Sequence, residues 1–146
     1  MFTGVSSLNL DSKGRLAVPA KHRDVLLVQT QGKLIITAGP SGCLLVYPEP
    51  EWLLVRDKLK TVPGIQGEQL RRVIIGHAEE IEMDASGRVL IPAHLRKVVG
   101  LDKEVALVGM DNKFELWDAE KWNATTAAVM TMNPQDLANA MQGVVL

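Results

Sequence analysis

The stretch LDSKGRLAVPA, residues 10–20, returns as MDASGRVLIPA at residues 83–93. A displacement of 73 aligns Leu8–Leu26 with Ile81–Val99 and matches Asp11 with Asp84, Gly14 with Gly87, Arg15 with Arg88, Pro19 with Pro92, Ala20 with Ala93, Arg23 with Arg96 and Val25 with Val98. Further on, at a displacement of 70, LLVYPEPEW (44–52) lies over FELWDAEKW (114–122), so that Tyr47 falls on Trp117 and Trp52 on Trp122. The chain is written twice, with a shorter loop in the second copy, and a loop is where a length change leaves packed elements intact.

Each copy reads as the same series of elements. Leu8, Leu10, Leu16 and Val18 alternate with polar or small residues across Asp11–Gly14, as Ile81, Met83, Val89 and Ile91 do across Asp84–Gly87. This alternation predicts a β-hairpin with one buried face. Asp suits the first position of a type I turn, where its carboxylate accepts backbone N–H groups, and Gly three residues later can turn left-handed so that the second strand resumes. Pro19 and Pro92 suit the first position of a helix, where a missing N–H loses nothing. In the second copy Leu95, Val98 and Val99 follow at helical spacing and Gly100 is a stop; in the first copy His22 takes the place of Leu95, so that face is less apolar. Strand pairs are expected around Lys33–Thr37 with Cys43–Tyr47, and around Glu104–Val108 with Phe114–Trp117. Helices are expected near Glu49–Trp52 and Ala119–Trp122.

The expected organisation is a first repeat at residues 1–60, a linker and short helix at 61–77, a second repeat at 78–124 and a C-terminal tail at 125–146. The segment TVPGIQGEQ reads as a Pro- and Gly-punctuated linker, and EQLRRVIIGHAEE holds the short helix. In the tail, Pro134 opens a last helix at PQDLANAMQ.

At 146 residues, 47% hydrophobic and 23% charged, with a mean hydropathy of +0.07, the composition is that of a folded chain and leaves room for two half-cores that pack together. No charged start with a following apolar run opens the sequence, and no apolar stretch approaches the roughly 20 residues that span a bilayer, so a cytoplasmic location without membrane contact is expected. The single cysteine, Cys43, has no partner for an intrachain disulfide and no companions at zinc spacing; no metal or other cofactor is expected. The net charge of −1 gives no global sign of a polyanion binder. Its distribution is uneven: Asp11–Arg23 carries +3 and Asp84–Lys97 carries +2, leaving −6 on the remainder. Positive charge is gathered on the repeated segments, where a polyanion could be held or where charge is merely solvated.

A two-stranded ribbon is marginal alone in water, but two copies can pack about a pseudo-twofold axis and place two Asp-x-x-Gly-Arg turns symmetrically. The planar fork of arginine matches phosphate oxygens and the O6/N7 edge of guanine, so Arg15 and Arg88 could read DNA. Equally, each arginine could be neutralised by its own aspartate across the turn.

The paired segments LDSKGRLAVPAKHR and MDASGRVLIPAHLR resemble the repeated signature of the MraZ family, bacterial transcription factors built from two AbrB-like swapped-hairpin units. The opening MFTG, GCLLVYPEPEW, LRRVIIGHAEEIEMDASGRVLIPA and ALVGMDNKFELWD are similar to that family's pattern, in order, up to Trp122. The resemblance implies a mainly β, α+β fold, a duplicated swapped-hairpin AbrB-like β-barrel with pseudo-twofold symmetry. It also implies a nucleoid-associated regulator of the division and cell-wall gene cluster, one that forms ring-like homo-oligomers and binds short direct repeats in promoter double-stranded DNA. Carried over by position, the DNA-facing residues are Asp11 with Arg15 and Asp84 with Arg88. Lys13 is a further candidate, although its counterpart is Ser86. Arg23 and Arg96 sit on the helices and could brace the turns by pairing with Asp11 or Asp84.

Enzyme motifs such as G-x-S-x-G, a Walker loop, H-E-x-x-H or G-x-G-x-x-G are absent, and no small-molecule substrate is evident. Cys43 begins an apolar run and reads as a buried strand residue. The histidines His22, His77 and His94 lack ligand spacing. Tyr47, Trp52, Trp117 and Trp122 read as core or interface packing rather than a base-stacking platform. The rival readings are an AbrB-like antitoxin, whose extra segment wraps a toxin, and a structural oligomerisation protein.

Overall fold

A computed structural model describes residues 1–146. The first repeat contributes β1 (Val5–Asn9), β2 (Arg15–Ala17), α1 (Ala20–Thr30), β3 (Lys33–Ala38), β4 (Leu44–Pro48) and α2 (Glu49–Leu59). After α3 (Gly64–Ile74), the second contributes β5 (Glu79–Glu82), β6 (Arg88–Leu90), α4 (Ala93–Val99), β7 (Glu104–Gly109), β8 (Phe114–Asp118) and α5 (Ala119–Met130); α6 (Pro134–Met141) closes the chain. The fold is α+β, built on antiparallel strands.

The strands do not pair as two local hairpins. One six-stranded sheet runs β1-β7-β8-β4-β3-β5, and β2 pairs with β6 in a separate two-stranded ribbon. The expected hairpin arms β1 and β2 are joined by the turn, where Asp11 N–H donates to the Arg15 carbonyl at 3.0 Å, and then part. β1 continues along β7 with Leu8 opposite Val105, β5 runs along β3 with Ile81 opposite Leu34, and β2 meets β6 with Leu16 opposite Val89. Every arm of a turn thus finds its ladder in the other repeat, the exchanged form that the family resemblance implies. Replacing each element by its repeat equivalent reproduces the six-strand order read backwards, which is the pseudo-twofold symmetry of the molecule.

Exchange gives both copies one interior. The main cluster holds 19 buried residues and draws matched pairs from the two repeats, among them Leu10 with Met83, Leu16 with Val89, Val18 with Ile91, Leu26 with Val99, Ile36 with Leu107 and Val46 with Leu116. Neither half has enough apolar surface to close such a core alone. The pairing is incomplete: Phe2 has no counterpart in the cluster, Leu8 is only partly buried where Ile81 is buried, and His22 faces the interior in the place of Leu95. Its ring lies 5.8 Å from that of Phe2 and 4.9 Å from that of Phe114, edge-on to both, and it is buried. Phe2 reaches this position because its backbone exchanges hydrogen bonds with Asp111 at 2.8 and 2.7 Å.

The other face of the sheet carries the repeated aromatics. Tyr47 packs on Trp52 at 5.8 Å and Trp117 on Trp122 at 6.0 Å, both pairs at 52°, so these rings serve packing. Cys43 is fully buried beside Val108 and Trp117, and desolvation holds its thiol at about 12. Helix α3 covers the Tyr47–Trp52 side through Ile74, and Thr37 Oγ1 donates to the Ile74 carbonyl at 2.5 Å. This helix begins at Gly64, inside the stretch that reads as linker. Gly67 belongs there because a Cβ at that position would run into the Val62 carbonyl. On the Trp117–Trp122 side α5 continues to Met130, beyond its expected start, and neither it nor α6 buries a residue fully.

Candidate nucleic-acid interface

The two repeated turns close in the same way. Gly14 N–H donates to the Asp11 carbonyl at 2.9 Å and Gly87 N–H to the Asp84 carbonyl at 3.0 Å. Both glycines hold positive φ, 84° and 78°, a region that a residue with a Cβ enters only at a cost on the order of 1 kcal/mol. The aspartate organises the turn around one oxygen: Asp11 Oδ1 accepts from the backbone N–H of Lys13 at 2.9 Å and of Arg15 at 2.8 Å. Asp84 Oδ1 does the same for Ser86 at 2.9 Å and Arg88 at 3.0 Å.

The second oxygen holds the arginine. Arg15 Nε lies 2.6 Å from Asp11 Oδ2, and Arg88 Nε lies 3.3 Å from Asp84 Oδ2. Backbone donation from Arg15, aided by its guanidinium and by Lys13 N–H, holds the Asp11 carboxyl at about 2 against an ordinary 3.8. Asp84 is held below the ordinary value, first by backbone donation from Arg88. Both carboxylates are therefore ionised at neutral pH. The ion pair uses Nε, and no Nη of either arginine hydrogen-bonds within the chain, so neutralisation across the turn leaves the ends of both forks without a partner.

The ribbon register decides where these arginines point. Arg15 is opposite Leu90, Leu16 opposite Val89 and Ala17 opposite Arg88. Since residues alternate between faces, Leu16 and Val89 face the core, while Arg15, Ala17, Arg88 and Leu90 share the outer face. Arg15 and Arg88 are therefore diagonal neighbours, a relation that typically spans about 7–8 Å. Leu90 stands 54% exposed between the turns, an apolar surface residue that the repeat pattern did not single out. Lys13 is exposed at the tip of the first turn; Ser86 holds the equivalent tip. Asp11, Lys13 and Arg15 thus gather at one turn and Asp84 and Arg88 at the other, joined by one ribbon.

Arg23 and Arg96 do not pair with the aspartates. Arg23 Nε donates to the Val18 carbonyl at 2.6 Å and Arg96 Nε to the Ile91 carbonyl at 3.2 Å. No group of His, Cys, Asp and Glu side chains is arranged to hold a metal ion, and no helix is long and apolar enough to cross a membrane.

A family model described as "MraZ protein, putative antitoxin-like" matches residues 1–69 and again residues 74–144. The chain is 51% identical over 140 residues to the transcriptional regulator MraZ of Chromobacterium violaceum, spanning 94% of this chain and 95% of that protein. It is 48% identical over 145 residues to the protein of that name from Nitrosomonas europaea, spanning 98% of each. With the one from Thiobacillus denitrificans it shares 43% identity over the full length of both.

Proposed function

The chain belongs to the MraZ family of transcriptional regulators, and from that premise we propose that it binds double-stranded promoter DNA through the outer face of the β2–β6 ribbon and its two flanking turns. The observation that carries this reading is the common outward face of Arg15 and Arg88 about the pseudo-twofold axis. The major groove admits a two-stranded β-ribbon, and a guanidinium matches the acceptors of guanine there. Ionised Asp11 and Asp84 fix each Nε and so orient the fork before DNA arrives. Lys13 adds a phosphate contact to the first turn that Ser86 does not add to the second, so the two turns contribute unequally.

The operator in this reading is a set of short direct repeats upstream of the bacterial division and cell-wall gene cluster. Several protomers in a ring-like homo-oligomer present their ribbons to successive repeats, and linked weak contacts gain effective concentration, which offsets the slight negative net charge. The exposed apolar residues Val129, Met130, Met132 and Leu137 on and beside α5 and α6 support self-association. The protein acts in the cytoplasm, on the nucleoid.

The deciding experiment is a gel shift with DNA from upstream of the protein's own gene beside scrambled DNA, over a salt series, with light scattering for mass. Preferential retardation that weakens with salt is expected. Equal binding of both DNAs, or affinity indifferent to salt, overturns the reading.

A further inference from the structure

The helical arginines make a crossed connection between the repeats. A Cβ placed on Gly14 would stand 2.7 Å from Cζ and 2.9 Å from Nη2 of Arg96; one placed on Gly87 would stand 2.5 Å from Nε and 2.8 Å from Cζ of Arg23. Each guanidinium therefore lies directly over the turn glycine of the opposite repeat. The backbone closes the connection. Ile91 N–H donates to the Gly14 carbonyl at 3.0 Å while the Ile91 carbonyl accepts from Arg96 Nε, and Val18 N–H donates to the Gly87 carbonyl at 2.9 Å while the Val18 carbonyl accepts from Arg23 Nε. Arg96 also lines a surface hollow together with Leu10, Asp11 and Ser12 of the first turn.

We propose that Arg23 and Arg96 are positioning residues that act across the repeats: Arg96 sets the presentation of Arg15, and Arg23 that of Arg88. The glycines then serve twice. Their positive φ turns the chain, and their missing Cβ leaves a seat for the planar group, which a lysine ammonium does not fill in the same way. The arrangement occurs in both repeats, although the flanking helices differ in length, 11 residues in α1 and 7 in α4. What each turn does in DNA binding rests on the function proposed above; the clamp itself does not.

The test uses the full-length protein and its variants Arg96→Ala, Arg96→Lys, Arg23→Ala and Arg23→Lys. Hydrogen exchange followed by mass spectrometry compares peptides containing residues 11–15 with those containing 84–88. Both substitutions at Arg96 are expected to speed exchange at the first turn by about fivefold, the scale of losing one modest packing contact, and to leave the second turn unchanged. Substitutions at Arg23 do the reverse. Acceleration in the substituted residue's own repeat, in both turns equally, or in neither overturns the proposal, and the lysine variants decide if an alanine variant unfolds. On operator DNA, Arg96→Ala combines non-additively with Arg15→Ala and additively with Arg88→Ala; additivity with both also overturns it. If the wild-type protein binds no DNA, the functional reading fails and hydrogen exchange alone decides the clamp.

Discussion

Arg15 Nε sits 2.6 Å from Asp11 Oδ2, four residues back and across the repeated turn. The same carboxylate takes two backbone donors on its other oxygen, so one side chain both shapes the loop and aims the guanidinium.

That double duty has a pH signature. Asp11 is held at about 2 in the folded protein against an ordinary 3.8, so its contribution to the fold is fully present above about pH 3.8 and is lost as pH falls toward 2. Carbon-13 carboxyl titration should find that low midpoint. In Arg15→Ala the value should rise yet stay below 3.8, because the largest cause is the residue-15 backbone N–H, which alanine retains. A full return to 3.8 would show the side chain to be the sole cause.

Arg15→Ala and Arg88→Ala should each weaken operator binding by about 1–3 kcal/mol if each fork reads a base. Thermal denaturation should remain within a few degrees of the parent. Lys13→Ala should instead reduce the salt slope by about 0.9, the loss of one phosphate contact, whereas Ser86→Ala should leave it unaltered. Loss of assembly or of thermal stability in the arginine variants would assign them to the scaffold.

His22 predicts a second pH dependence, confined to the first repeat. Burial is the main cause that holds its pKa below the ordinary 6.5, with lesser repulsion from Lys21 and the N-terminus. A group depressed in the folded state binds more protons when unfolded. Its stabilising contribution is therefore complete above pH 6.5 and declines as pH falls below it. His22→Leu, which copies Leu95, should remove that slope in urea titrations and leave the Asp11 titration in place.

The shared core predicts a single unfolding step. Leu16→Ala should cost about 2–5 kcal/mol and should lower the midpoints seen by tryptophan fluorescence and by circular dichroism together. Two separate transitions, with only one displaced, would mean that the repeats fold independently.

Much of this fold could be read from spacing, and the unread parts share a cause. Asp11, Gly14, Arg15 and Pro19 announce a turn followed by a helix, and their return at residue 84 announces symmetry. The alternation of Leu8, Leu10, Leu16 and Val18, however, is satisfied equally by a local hairpin and by strands that pair elsewhere, because period two fixes the buried face without fixing the partner. The seat of Arg96 over Gly14 is hidden for the same reason: it joins residues 82 positions apart. Arg23 and Arg96 were visible as repeated cations, but nothing along the chain says that each serves the far turn. Gly67 misleads in the opposite sense, since its missing Cβ reflects close packing against Val62 and not flexibility. At the candidate site, the sequence marks which residues recur in the two turns, and the shared ribbon face of Arg15 and Arg88 follows only from the Leu16–Val89 register.

Strand exchange within one polypeptide also removes a concentration threshold. Two separate copies of one half-length chain interlocked in this way would fall apart on dilution and would be identical, whereas covalent linkage makes the interlock survive at a handful of copies per cell. It also releases the halves from sameness, and the lysine at one tip with a serine at the other shows that freedom in use.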